Sequence, residues 1–257
     1  MNSSERRFEL KASFTPVKIA STTEINHCAR WIELENSIEA SPGQFVMAWL
    51  PGIGEKPYSI ASMDPFSLLA VDVGPFSHAL HRLKKGDRLW IKGPLGHGFT
   101  VEGKKLLLAA GGYGVAPLYP LALLVRNQGC EVHICLGARS VDGIMLVESF
   151  DRIGCVTSIA TEDSSKGRQG LVTDLINTTI TEETYDTLYA CGPVGMLSAL
   201  ADVCRTRQLN YQVSWEANMR CGMGLCGSCE VPLTLDPSLP RGWLACYDGP
   251  VFIKHWD

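Results

Sequence analysis

Apolar residues recur in two different patterns along the chain, and the change falls near residue 104. Before it they form short or alternating runs at Phe14–Ala20, Cys28–Leu34, Phe45–Leu50, Ser67–Val73 and Arg88–Lys92. Turn clusters punctuate these runs: Ser41-Pro42-Gly43, Pro51-Gly52-Ile53-Gly54 and Gly86-Asp87. Short strands between regular turn signals predict a small antiparallel β barrel, with one helix over Ser77–Leu83.

After residue 104 the pattern predicts strands alternating with helices. Lys105–Ala110 is a continuous apolar run, as expected of a strand buried on both faces. A glycine-rich loop, Gly111–Pro117, leads into a helix over Leu118–Asn127, and Pro117 suits a first helical turn. Further strands are expected at Glu131–Leu136, Val156–Ala160 and Tyr185–Ala190. Helices are expected near Met145–Phe150, from Val172–Asn177, and after Cys191-Gly192-Pro193-Val194-Gly195-Met196 as far as Arg207. Such alternation predicts a doubly wound parallel sheet. The segment Leu106–Val125 carries no charge and is nearly long enough to span a bilayer. Three glycines and two prolines interrupt it, which favours strand, loop and helix over a membrane segment.

Composition narrows the class. Of 257 residues, 46% are hydrophobic and 19% charged, as in an ordinary globular protein. The net charge of −4, without a basic block, argues against nucleic acid as a partner. Met1–Leu10 is polar and charged and has no signal-peptide core. Ten cysteines would suit a disulfide scaffold only in a much smaller secreted chain. Six of them, Cys28, Cys130, Cys135, Cys155, Cys191 and Cys204, are scattered and read as thiols in a reducing cytoplasm.

The other four are grouped. Cys221, Cys226 and Cys229 have C-x4-C-x2-C spacing, and Cys246 follows after sixteen residues. That is the plant-type pattern for a 2Fe–2S cluster. Gly222, Gly224 and Gly227 allow the dihedrals that turn backbone N–H groups toward the sulfurs. Cys246 follows Trp243-Leu244-Ala245, an apolar run expected to be a strand. Structural zinc is the alternative, although zinc ribbons carry two C-x2-C knuckles and this chain has only one.

Three further segments carry candidate chemistry. Lys56-Pro57-Tyr58-Ser59 offers a cation, a ring and a hydroxyl at the entry to a strand, and is equally an ordinary strand start. Gly111–Pro117 precedes a helix N-terminus, where free N–H groups and the helix dipole favour an anion. It lacks the strict dinucleotide fingerprint. Cys191-Gly192-Pro193 follows another strand of the same sheet, and ligands bind such sheets at the carboxyl ends of strands.

With these segments in order, the chain resembles the ferredoxin–NADP reductase superfamily over nearly its whole length. Within it, the chain is similar to electron-transfer subunits of class 1B dihydroorotate dehydrogenases. The carriers are Gly93-Pro94-Leu95-Gly96-x-Gly98-Phe99, Tyr189-Ala190-Cys191-Gly192-Pro193, and the cluster loop with Asp248-Gly249-Pro250-Val251-Phe252. The last is shared with subunits of soluble hydrogenases and of NADH-dependent ferredoxin–NADP oxidoreductases. A reductase subunit in such a system, or in an oxygenase system, is therefore the alternative function, and a zinc-bearing interaction module is the non-catalytic one.

The resemblance implies three modules: a FAD-binding barrel over 1–103, an NAD-binding domain over 104–212 and a cluster module over 213–257. It implies that Lys56, Pro57, Tyr58 and Ser59 grip the flavin, with Ala70, Val71, Gly74 and Ser77 completing its site. Lysine stands where relatives carry arginine, which replaces a bidentate fork by a point charge and leaves FMN open beside FAD. It implies that Gly111, Gly112, Gly114, Val115, Ala116 and Pro117 hold the nucleotide pyrophosphate and that Cys191, Gly192 and Pro193 flank the nicotinamide. No serine, histidine and aspartate set or carboxylate pair suggests an organic substrate site. Dihydroorotate chemistry would thus need an FMN-containing partner subunit, expected in a heterotetramer.

Overall fold

A computed structural model describes residues 13–256; the polar segment Met1–Leu10 lies outside them. The first half is a closed barrel of β1 (Thr15–Asn26), β2 (Ala29–Leu34), β3 (Phe45–Leu50), β4 (Gly54–Met63), β5 (Phe66–Val71) and β6 (Arg88–Leu95). The strand order is β1-β2-β5-β4-β3-β6 and every pairing is antiparallel. Alternation places Val46, Ala48, Leu50, Leu89 and Ile91 in the barrel core with Ile19, Ile32 and Leu68. Phe45, Met47 and Leu95 belong instead to the core shared with the C-terminal segment. The short helix α1 spans Pro75–His81, starting two residues before its expected position because Pro75 occupies its first turn.

The second half carries β7 (Lys105–Gly111), α2 (Val115–Asn127), β8 (Glu131–Ala138), α3 (Val147–Arg152), β9 (Val156–Thr161), β10 (Arg168–Gln169), α4 (Val172–Glu182), β11 (Thr187–Cys191), α5 (Val194–Arg207) and β12 (Asn210–Ser214). The sheet order is β10-β9-β8-β7-β11-β12-β13, where β13 is Val251–Lys254. All neighbours are parallel except β12 and β13. Successive residues of β7 serve opposite faces. Leu106, Leu108 and Ala110 pack with Val115, Leu118 and Phe150, whereas Leu107 and Ala109 pack with Ile176, Leu197 and Leu200. That is the doubly wound arrangement expected from the apolar run.

Two features depart from the sequence pattern. Part of the expected glycine loop is a 3₁₀ turn over Gly112–Gly114 that runs directly into α2. Strand β12 passes through residue 212, and β13, from the C-terminal segment, completes the nucleotide sheet. The halves are joined by side chains as well. Tyr189 donates its hydroxyl to the Thr100 carbonyl at 2.9 Å and accepts the Glu102 N–H at 3.0 Å. Trp31 of β2 meets Tyr119 of α2 edge-on, with ring centroids 6.2 Å apart.

Candidate functional site

The cysteine loop owes its shape to three left-handed glycines. Gly222, Gly224 and Gly227 have φ of 71°, 78° and 69°, a region where any other residue would be strained. This backbone turns N–H groups toward sulfur. The Gly224 N–H donates to Cys246 Sγ at 3.1 Å and the Met223 N–H to Cys221 Sγ at 3.5 Å. Cys229 and Cys246 are buried with their sulfurs 3.2 Å apart, whereas Cys226 is exposed. The expected strand at Cys246 is absent. Leu244 makes an isolated bridge to Glu230, and Cys246 lies in the turn that follows, closed by N–H groups of Tyr247 and Asp248 on the Leu244 carbonyl. A turn brings the fourth sulfur back over the loop, which a straight strand would carry away.

The thiols differ electrostatically. Hydrogen bonds from Ser228, with others from Cys221, bring Cys226 down to about 6, whereas burial pushes Cys246 up to about 12. Among the described residues no three of these side chains are drawn into metal-holding geometry, but a donor set of four thiols without histidine, two of them in contact and two sulfurs accepting backbone N–H groups, fits an iron–sulfur cluster.

The underside of this loop rests on the barrel. A side chain at Gly222 would strike Met47 and Leu95, so the loop packs backbone-first on β3 and β6. Leu225, next to Cys226 in the chain, is 80% exposed, and Tyr247, packed on Gly224, is 64% exposed, so the loop carries an exposed apolar rim.

A cavity of about 750 Å³ lies between barrel and sheet, within the ordinary range for cofactor pockets. Its barrel wall includes Lys56, Pro57, Tyr58, Ser59, Val71, Gly74 and Ser77. Tyr113, Ala116, Cys191 and Gly192 form the sheet wall. Four sequence-separated segments thus meet in one cleft. Ala70 does not line it: the residue is in the barrel core, and its carbonyl accepts a hydrogen bond from His81 Nε2 at 2.8 Å. Gly111, Gly112, Gly114, Val115, Pro117 and Pro193 also lie outside its lining.

The glycines nevertheless shape the cleft. A methyl group at Gly114 would overlap the Cys191 carbonyl, and one at Gly111 would strike Pro193 and Met196. Only glycine lets the α2 entry and the β11 exit approach this closely. Ser77 is buried and caps its own helix, accepting the N–H groups of Val73 and Gly74, each at 2.9 Å. Burial pushes the Cys191 thiol up to about 12 and, with Asp72 nearby, raises Tyr58 far above the usual phenol range. Both groups therefore face the cleft neutral.

A fifth segment, Ser214–Met219, closes the cleft and was not expected from the sequence. It follows β12 and carries no recognisable pattern. Trp215 is 1% exposed and its Nε1 has no hydrogen-bond partner among the described residues. Buried this completely, the indole N–H backs the wall and does not open into the cleft; the ammonium of Lys56 and the hydroxyls of Tyr58 and Ser59, which do line it, fit the phosphate and the ring acceptors of a flavin. Tyr113 donates its hydroxyl to Glu216 Oε1 at 2.8 Å, spanning from the nucleotide loop to this segment.

Two parts of the chain match known protein families. Residues 216–255 match the family described as the iron-sulfur cluster binding domain of dihydroorotate dehydrogenase B. Residues 108–202 match the oxidoreductase NAD-binding domain. A Thermococcus kodakarensis protein named "Probable dihydroorotate dehydrogenase B (NAD(+)), electron transfer subunit" is 40% identical, over 92% of this chain and 94% of its own. A Methanopyrus kandleri protein of the same name is 36% identical, over 93% and 91%. A solved NADH-dependent reduced ferredoxin-NADP oxidoreductase superposes with a TM-score of 0.81 at 30% identity, covering 92% of this chain and 87% of that one.

Proposed function

The chain belongs to the electron transfer subunits of dihydroorotate dehydrogenase B, and on that premise we propose how its residues carry the electrons and what it docks. It is a subunit of an NAD-linked oxidoreductase, and its parts are an iron–sulfur loop, a flavin cleft and a nucleotide domain. A flavin exchanges two electrons with a nicotinamide and single electrons with an iron–sulfur cluster, which is why it belongs between them.

In this reading Cys221, Cys226, Cys229 and Cys246 ligate the cluster. Lys56 sets its charge at the flavin phosphate, while Tyr58 and Ser59 orient the ring system as neutral hydrogen-bond donors. Val71 and Gly74 line the remaining barrel wall. Gly111–Pro117 presents the N-terminus of α2 to the nucleotide phosphates, and Cys191, Gly192 and Pro193 border the nicotinamide. FAD is favoured over FMN because the cleft continues past Ser59 to Val73, Gly74 and Pro75, room for more than a mononucleotide.

The organic substrate is assigned to a partner subunit carrying FMN, the two assembling as a heterotetramer. The exposed rim of Leu225 and Tyr247 is the surface where that partner docks. No helix among the described residues is long and apolar enough to cross a membrane, and the buried unpaired thiols Cys130, Cys135, Cys155 and Cys204 suit a cytoplasmic setting.

The observation that carries this reading is the meeting of the Lys56–Ser59 segment, Ala116 and Cys191 in one cleft while the cysteine loop packs on the adjoining barrel strands. The isolated chain is expected to pass electrons from NADH to artificial dyes and to leave dihydroorotate untouched. Mixed with the FMN subunit, it should reduce NAD at the expense of dihydroorotate. Leu225→Glu should weaken that coupling about tenfold, equivalent to ~1.4 kcal/mol. Turnover of dihydroorotate by the isolated chain would overturn the division of labour. Normal coupling by the Glu variant would overturn the docking surface.

A further inference from the structure

We propose that Lys92 is a positioning residue for electron transfer: it pins the cluster loop to the barrel wall beside the flavin segment and raises the cluster's reduction potential with a buried positive charge. The inference rests on the cluster assignment and goes beyond it.

Lys92 lies on β6 and is 5% exposed, a rare condition for a lysine. Its ammonium donates to the backbone carbonyl of Cys221, the first ligand of the loop, at 3.0 Å. It donates also to Glu55 Oε1 at 3.1 Å and stands 4.8 Å from the centre of the Phe14 ring. Across the sheet Lys92 is opposite Met47, and Met47 is opposite Pro57. One row of the barrel therefore runs from the Lys56–Ser59 segment, past the methionine under Gly222, to the lysine that holds Cys221.

Stability does not account for this arrangement. A buried ion pair gains little over apolar side chains of similar volume, because desolvation consumes its Coulomb attraction. Its polarity has a direct electrostatic consequence. The ammonium is the end of the pair that touches the loop, whereas the Glu55 side chain retains 28% exposure. Reduction adds one negative charge to a cluster, so a nearby cation held out of water favours the reduced form. The same hydrogen bond fixes the height of Cys221 over β3 and β6, and with it the separation between the loop and the cleft.

The two ends of the pair should act with opposite sign, which separates this role from mere packing. In the iron-replete protein, Lys92→Met should lower the cluster midpoint in an EPR-monitored redox titration. The expected shift is at least tenfold in the reduction equilibrium, 59 mV for one electron. Glu55→Gln should raise the midpoint by a smaller amount, and the double variant should fall between the two. Iron-replete Lys92→Met with an unchanged midpoint, or single variants shifted in the same direction, would overturn the proposal. If Lys92→Met does not retain iron, Glu55→Gln decides alone, an upward shift supporting the role and any other result overturning it. Failure of the cluster assignment would look different, as wild-type protein without iron.

Discussion

The cysteine loop and the cleft are built by opposite strategies. Nine consecutive residues, Cys221–Cys229, supply three of the four thiols and all of the left-handed glycines of the loop. The cleft instead borrows from segments around Lys56, Gly74, Ala116, Cys191 and Trp215, so its walls exist only once both halves have folded. A locally encoded site can be emptied without disturbing its neighbours. A site assembled from remote segments passes any disturbance from one wall to another.

The largest expected effect tests the independence of the loop. Cys226→Ser removes the exposed thiol of the loop and should abolish iron binding while leaving flavin content near that of the wild type, measured on the same sample by metal analysis and absorbance. Joint loss of iron and flavin would mean that the two sites form one cooperative unit. Zinc in place of iron in the wild-type protein would refute the cluster itself.

A weaker effect is expected on the flavin. Lys56→Ala should reduce flavin affinity roughly ten- to a hundredfold, because a hydrogen bond to a charged group contributes about 1.5–3 kcal/mol. Lys56 is exposed at the cleft's edge, so the low end of that range is expected. Lys104→Ala, at an exposed lysine absent from the cleft lining, is the control, and equal flavin retention in the two variants would count against the assignment.

The subtlest test uses one methyl group. Gly114→Ala drives a side chain into the Cys191 carbonyl, forcing apart the α2 entry and the β11 exit. Overpacking of this kind costs about 1–3 kcal/mol, and it should appear as weaker NADH binding with an unaltered cluster EPR spectrum. A variant that bound NADH normally would show the contact to be slack, and the cleft less interdependent than its construction suggests.

The contrast also explains what could be read from the chain before folding. Cysteine spacing, the glycines between the thiols and the apolar run of β7 are local properties, since each follows from residues a few positions apart. The barrel, the alternating half and the grouping of the four cysteines at the C-terminal end were therefore legible in the sequence. Strand β13 was not, because Val251–Lys254 is too short to declare a partner and pairs with β12 only after the intervening segment has crossed the molecule. Cys246 follows an apolar stretch that reads as a strand, yet it sits in a turn because its sulfur must return to the loop.

Trp215 and Glu216 join the cleft for the same reason: nothing near them in sequence signals a ligand, and their role comes from the segment's path between β12 and the loop. Lys92 is the extreme case. Beside Ile91, whose side chain fills the barrel core, its place in the strand alternation reads as an outward lysine in water. The barrel does turn it outward, but Cys221, 129 residues later in the chain, covers it. Local sequence determines which face of a strand a side chain occupies; what covers that face is settled by distant segments, through burial that no short stretch of chain can encode.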